Sequence, residues 1–337
     1  MTNQVVRQRS IGIAREDDAT KGTAVAIATG HFASVDSGIL EAKAEPYLNE
    51  SSAGRIEAGL ETFAAKEWSE LSFSAPVKTD WLGHVLTGLL GSVSSSNAAG
   101  ETTVREHTIT VNSAASAPAY TFFMLDPIST GEKGAYGTFN KLELKCDADG
   151  VLMADVTGIA KALAAATGTA AFSTDYHLQG SHCAIKMAAA TADVAATSAI
   201  GFKSLTLTIE RDVTPQYAFG SNTPSSFIAG ALRITGQLEL LRSSTTYRDY
   251  FTDGTSRAMT ITFNDTATTI GSAETPSLIF TLDKIQVTGH KITEASDDVD
   301  IETIDFQACY DLDEDTPRMI QVVMTNMESA TAYTEPA

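Results

Sequence analysis

Apolar and polar residues alternate with period two along much of this chain, which places one set of side chains on a buried face and its neighbours in water. Leu71, Phe73, Ala75 and Val77 alternate with Ser72 and Ser74, and Leu142, Leu144 and Cys146 alternate with Lys141, Glu143 and Lys145. Leu205, Leu207 and Ile209 are spaced by Thr206 and Thr208. The pattern returns at Ile109 and Val111, Leu238 and Leu240, Met259 to Phe263, Leu278 to Leu282, and Ile304 to Tyr310. Such segments predict half-buried, antiparallel strands with Thr on the solvent side, so the fold class is mainly β.

Two segments follow a helical period instead. Between Thr79 and Gly91 the apolar residues Trp81, Leu82, Val85, Leu86, Leu89 and Leu90 make one stripe, with Thr79 placed to cap the start and Gly91 to close the end. From Thr245 to Gly254, Tyr247, Tyr250 and Phe251 share a face. The two helices suggest an internal repeat, because Trp81, Val85 and Gly88 map onto Tyr247, Phe251 and Gly254 at one constant offset. Leu40 to Glu45 resembles Leu205 to Glu210, Thr108 to Val111 resembles Thr260 to Phe263, and Phe123 to Asp126 resembles Phe280 to Asp283. The shorter downstream offset fits a longer loop, Ser92 to Arg105, in the first copy. The expectation is therefore two domains, 1–168 and 169–337, each with one flanking α-helix. Long polar insertions, Pro46 to Gly59 and Val213 to Gly230, interrupt both copies; segments of that length contact partners or move freely. The Ala-rich stretches Ile159 to Ala171 and Met187 to Ala199 read as weakly ordered connections or short helices.

Charge narrows the function. The 337 residues carry 23 Lys plus Arg against 42 Asp plus Glu, a net −19, so the chain lacks the basic excess that grips phosphates by counterion release. Three cysteines, none in a CxxC pair, suit a reduced compartment. Met1 to Arg7 has no apolar core of signal length, and no run of 18 strongly apolar residues occurs, so neither secretion by that route nor a membrane span is expected.

Catalytic signatures fail one by one: there is no G-x-S-x-G, phosphate loop, dinucleotide motif or H-E-x-x-H. Asp311 to Asp315 opens like a calcium loop, but Thr316 and Pro317 stand where the turn needs Gly and the twelfth position is Val322. His177, His182 and Cys183 match no recurring metal spacing. Glu294, Asp297, Asp298, Asp300, Glu302 and Asp305 supply carboxylates without a base, a nucleophile or an apolar pocket to shift a pKa. No cofactor and no metal is expected, and an enzyme is disfavoured.

An ordered set of short motifs carries a resemblance. Ile11-Gly12-Ile13-Ala14-Arg15-Glu16 with Lys21-Gly22-Thr23-Ala24, then Glu50-Ser51-Ser52-Ala53-Gly54-Arg55-Ile56 and Asp80-Trp81-Leu82-Gly83 running into Leu89-Leu90-Gly91-Ser92, resemble tail tube proteins of long-tailed, siphovirus-like bacteriophages. In the second half the resemblance includes Gly220-Ser221, Leu238 to Leu241 and Thr246 to Phe251, and it thins between Leu152 and Ala199. It implies two tandem tail-tube β-sandwich or half-barrel domains whose sheets join between subunits around a lumen. Three such chains would build a pseudo-sixfold homotrimeric ring, with a homohexamer of chains as the alternative. The resemblance assigns ring stacking to Glu50, Ser51, Arg55, Ile56, Phe219, Asn222 and Ser226. It packs the helices outside the sheet through Trp81, Val85, Leu89, Tyr247 and Phe251. It further implies a virion location after synthesis in the host cytoplasm, a tape-measure protein and tail-end proteins as partners, and DNA passing through an acidic bore without specific binding. A β-rich capsid decoration or attachment protein is the alternative from another class, and a glycan hydrolase a distant third.

Overall fold

The computed structural model describes residues 9–26, 31–51, 56, 59, 61–113, 117–125, 131–173, 176–293, 300–312 and 318–334. In chain order the elements are β1 (Ser10–Arg15), β2 (His31–Ala33), β3 (Ser37–Asn49), β4 (Glu61–Pro76), α1 (Thr79–Leu90), β5 (Gly91–Asn97), β6 (Arg105–Val111), β7 (Tyr120–Leu125), β8 (Gly131–Asp147), β9 (Met153–Ala160) and β10 (Ala164–Ala166). They continue as β11 (Cys183–Ala188), β12 (Phe202–Gln216), β13 (Ser226–Leu241), α2 (Thr246–Asp253), β14 (Arg257–Asn264), β15 (Ser277–Thr293), β16 (Ile301–Cys309) and β17 (Gln321–Asn326). The protein is mainly β, as the alternation predicts, and all pairings between these strands are antiparallel.

Eight strands form one layer in the order β3-β4-β9-β8-β12-β13-β16-β15. The 17-residue strands β8 and β15 are long enough to serve two layers. The first part of β8 runs in β10-β8-β7-β1-β2, and the first part of β15 joins β11-β14-β15 and β15-β17-β6-β5. Most core-facing residues enter one continuous apolar cluster, to which both sides of the expected 168/169 boundary contribute, while Ala14, Phe32, Phe123 and Ala166 form a smaller one. Near the chain end β17 crosses back to pair with β6, and Tyr333 lies buried against α1.

Three local expectations change. Ser92 to Arg105 is not a loop: it holds most of β5 and the turn into β6, in a hairpin registered from Gly91↔Val111 to Asn97↔Arg105. Helix α2 leads directly into β14, which pairs with the next strand, β15, from Arg257↔Ile285 to Asn264↔Ser277. By pairing, the strand preceding β8 is β7 and the strand preceding β15 is β14. Pro46 to Gly59 and Val213 to Gly230 are partly strand: residues 46–49 continue β3, which pairs with β4 out to Asn49↔Glu61, and residues 213–216 and 226–230 extend β12 and β13, paired out to Gln216↔Ser226. The Ala-rich stretches also carry structure, namely the end of β9 with β10, and the end of β11 with a 3-10 helix at Thr191–Ala196.

Helix α1 is buried along its whole length rather than along one stripe. The reason lies on its other side, where Gly83 and Gly88 let aromatic rings approach the backbone. A Cβ at Gly83 would lie 2.4 Å from the Tyr333 ring, and one at Gly88 2.5 Å from Phe139. Thr79 does not cap the helix; Lys78 holds that position without a side-chain bond, and the Thr79 carbonyl accepts the Tyr333 hydroxyl at 2.9 Å. Gly91 (φ 100°) closes α1 and Gly254 (φ 64°) closes α2, both in the left-handed conformation that Gly adopts without penalty.

Candidate functional site

The eight-stranded layer has one apolar face and one polar face, because each strand alternates. On β8, Leu142, Leu144 and Cys146 enter the core while Lys141, Glu143 and Lys145 face away; on β12, Leu205, Leu207 and Ile209 enter while Thr206, Thr208 and Glu210 face away. The same polarity continues on β13 with Thr235 and Gln237, on β16 with Thr303 and Asp305, and on β4 with Ser72 and Glu70. The result is an open surface of Thr, Ser, Gln and charged residues across the width of the layer.

Cations on this face are held by carboxylates. Lys43 reaches Glu41 at 2.7 Å, Lys66 reaches Glu45 at 2.6 Å, and Arg233 reaches Asp212 at 3.1 Å. Glu143 takes both Lys141 and Lys145, and Lys145 also reaches Asp155 at 2.8 Å. Hydrogen bonds from Lys141 and then Lys145 hold the Glu143 carboxyl below its ordinary value. Bonds to Asp155 and then Glu143 push the Lys145 ammonium up to about 12. A lowered carboxylate pKa means that the pairing is complete above the unfolded value near 4.5 and is lost as pH falls through the folded one. Such exposed pairs add little stability, but each sets a carboxylate beside its cation, in competition with any phosphate.

Two hairpin arms, β3–β4 and β12–β13, extend beyond the core. Glu50 and Ser51 lie exposed past the end of β3, Ile56 is 102% exposed and Phe219 110%, Asn222 is exposed and Ser226 half-buried at the start of β13; Arg55 lies outside the described residues. The arms touch. The Glu67 N–H donates to the Asn222 carbonyl at 2.8 Å, and Lys66 Nζ sits 5.8 Å from the Tyr217 ring centre. Trp81, Val85 and Leu89 are fully buried, with Trp81 edge-on to Phe73 at 5.4 Å. The aromatic residues of α2 sit differently: Tyr247 is half-buried beside Tyr250, and Phe251 is 42% exposed, because no described segment covers α2 as Tyr333 covers α1.

The acidic and metal candidates disperse into structural contacts. Glu302 is buried against His290 at 2.6 Å, Asp305 accepts from Gln237 at 2.7 Å, and Asp300 meets Arg242 at 3.4 Å. Glu294, Asp297, Asp298 and 313–317 lie outside the described residues, while Asp311 binds Lys284 at 3.2 Å. His182 approaches Asp265 at 3.5 Å, and among the described residues no group of three or more His, Cys, Asp or Glu gathers around a point. Burial pushes the Cys146 thiol up to about 11 and Cys183 still higher, so neither is a ready nucleophile.

What this arrangement offers is surface, and its family decides the use. The family model described as phage tail tube protein matches residues 7–308. The chain belongs to the phage tail tube protein family. It is thus a structural protein of the virion tail, and it self-assembles into a tube alongside other tail proteins. Comparison with curated proteins gives no match. For a tail tube protein the polar partners of the alternation matter as much as the apolar ones. Their lattice of ion pairs, and the return of β17 and Tyr333 to α1, were not visible in the periodicity, although the Lys-x-Glu-x-Lys spacing at 141–145 was a signal for the first.

Proposed function

We propose that this tail tube protein carries two copies of one tube domain, that three chains close a pseudo-sixfold ring, and that stacked rings form the tube of a long-tailed, siphovirus-like phage. The observation that carries the reading is a strand order used twice. A long hairpin, a helix, and then strands that add back to the hairpin give β3-β4-β9-β8 and β12-β13-β16-β15, joined where β8 meets β12. In this reading the open face of the layer lines the bore, and DNA passes because cations such as Lys43, Lys66, Lys141, Lys145 and Arg233 are held by carboxylates. The arms, with Glu50, Ser51, Ile56, Phe219, Asn222 and Ser226, stack one ring on the next, and Arg55, which lies outside the described residues, is assigned to the same contact from the sequence. The chain performs no catalysis; its other partners are the tape-measure protein in the lumen and the tail-end proteins.

Electron microscopy of concentrated purified protein, with mass per ring measured from end views and scattering, tests this directly. Hollow particles with three chains per ring are expected. Six chains per ring would overturn the duplicated reading, and solid or open aggregates would overturn the tube arrangement.

A further inference from the structure

The eight-stranded layer ends in two unpaired edges. Among the described residues, strand β3 pairs only with β4, its Leu40 N–H meeting the Met124 sulfur at 3.4 Å, and β15 beyond Gln286 pairs only with β16. Open edges of this kind pair with another chain unless something blocks them. Inside the chain the equivalent edges are already joined: β8 pairs with β12 from Asp147↔Ser204 to Lys141↔Glu210.

The seam can be transferred because the strands share irregularities. Strand β8 has a bulge against β9 between Phe139 and Lys141, and β15 has one against β16 between Val287 and Gly289. Laying Phe139 on Val287 and Lys141 on Gly289 also lays their partners Gly158 and Thr157 on Phe306 and Asp305, so one offset superimposes both strands of each pair. The buried pairs Leu40↔Leu71 and Leu205↔Leu238 in turn lay Leu40 of β3 on Leu205 of β12. Helix α2 also rests on β15 as α1 rests on β8, a position that leaves room for β12 at the internal seam.

We infer that ring closure between chains copies this seam in register. The end of β15 adds antiparallel to β3 of the partner subunit, with Gly289 opposite Glu45 of the partner subunit, Lys291 opposite the partner's Lys43, and Thr293 opposite the partner's Glu41. The inference rests on the ring reading above and supplies its contact. The register was fixed by bulges and buried leucines, not by charge; it sets Lys291 directly opposite the partner's Lys43, with carboxylates only on the diagonals. Lys291 has no ion pair with any described residue of its own chain, and the transfer places it diagonally between the partner's Glu41 and Glu45. The two seams differ at one point. At the internal seam Arg211 donates to the Leu89 carbonyl at the end of α1, at 3.1 Å, where a cation complements the helix dipole. With Leu40 laid on Leu205, the counterpart of Arg211 is Pro46, which has neither a cation nor an N–H. The seam between chains is therefore the weaker, and rings dissociate into whole chains.

A Lys43→Cys/Lys291→Cys variant tests the register by mild oxidation of assembled particles. A control variant, Ile39→Cys/Lys291→Cys, sets the thiols about four residues, or about 13 Å, out of line. The matched pair is expected to give a closed covalent trimer as its terminal species on non-reducing gels, at least tenfold above both the control and wild type. Particles with normal rings but no excess cross-linking would overturn the register and leave the tube reading standing. Failure of the wild-type protein to form rings would overturn both. In a second variant, Lys291→Glu should lower the concentration for half-assembly about fivefold by setting a carboxylate opposite the partner's Lys43, and Lys43→Glu in the same chain should reverse the gain. No change with Lys291→Glu would count against the charge assignment.

Discussion

If the open face lines the bore, unmasking one of its cations should make the tube adhere to DNA. Lys141 is neutralised by Glu143 and faces Glu210 across the β8–β12 seam, so Glu143→Gln with Glu210→Gln frees it while Lys145 keeps Asp155. The fold should survive, since exposed pairs contribute about 0–1 kcal/mol each. A freed Lys within about 4 Å of a phosphate gains on the order of 1 kcal/mol in water, or about fivefold in affinity. Three such lysines around a ring, acting on one duplex, would give up to about 100-fold. The assay is retention of a fluorescent duplex by assembled tubes over a salt series. Wild-type tubes should retain little. The variant should retain the duplex at low salt, with log Kobs against log[salt] steeper by about 0.9 for each phosphate engaged. A Thr206→Cys reporter on the same face should react with a small maleimide and be protected from a bulky PEG-maleimide in tubes. Unchanged retention in the double variant, with tubes of normal diameter and a protected reporter, would refute the idea that ion pairing is what keeps DNA from adhering. An unprotected reporter would refute the placement of the face in the bore.

The remaining predictions concern the two helices and pH. Trp81→Ala should lower unfolding free energy by about 3–5 kcal/mol in urea titrations, whereas Phe251→Ala should cost under about 1 kcal/mol in the unassembled chain; similar losses would contradict their different burial. Gly83→Ala should cost about 1–3 kcal/mol by forcing the Tyr333 ring aside, and most of that loss should vanish in a Tyr333→Ala background, which a double-mutant cycle would read. His107 is buried between Ser95 and Asn326, and burial lowers its pKa to about 4 from 6.5. The unfolded chain thus takes up the proton first, so stability falls as pH drops from 6.5 towards 4, by roughly 3 kcal/mol at most. His107→Gln should flatten that slope in thermal scans across the window, and an undiminished slope would count against it.

How much of this was legible in the sequence depended on the range of the interaction. Strands written by alternation, such as Leu142 to Cys146 and Leu205 to Ile209, were readable because burial acts residue by residue. The end of α1 was readable too, since Gly91 must be left-handed where the helix closes. The burial of the second side of α1 was not, because it depends on Tyr333, from the far end of the chain, packing onto Gly83. The hairpin of β5 and β6 was missed for a compositional reason: Ser92, Ser94, Ser95 and Ser96 carry none of the β-branched signal that marks a strand, and the pairing partner β6 supplies the order. Pairing shows which strands are neighbours, while local similarity of Thr/Ile alternation does not.

The same distinction changes the meaning of the net charge. A total of −19 suggested a conduit that repels DNA by carboxylate excess. On the open face, however, acids and bases are interleaved and mutually bonded, as in the run Lys141, Glu143, Lys145 and Asp155. Long-range repulsion is screened within about 8 Å at physiological salt, so a distant excess of charge does little for a duplex sliding along a wall. What matters at contact is whether any single cation is free to hold a phosphate. Lys291 is the instructive case. It has no ion pair with the described residues of the isolated chain and becomes masked only if the partner's Glu41 and Glu45 arrive at the seam. Ring closure would then complete the wall and bring carboxylates to Lys291 in one step, and an unclosed edge would leave a place along the face where DNA could catch.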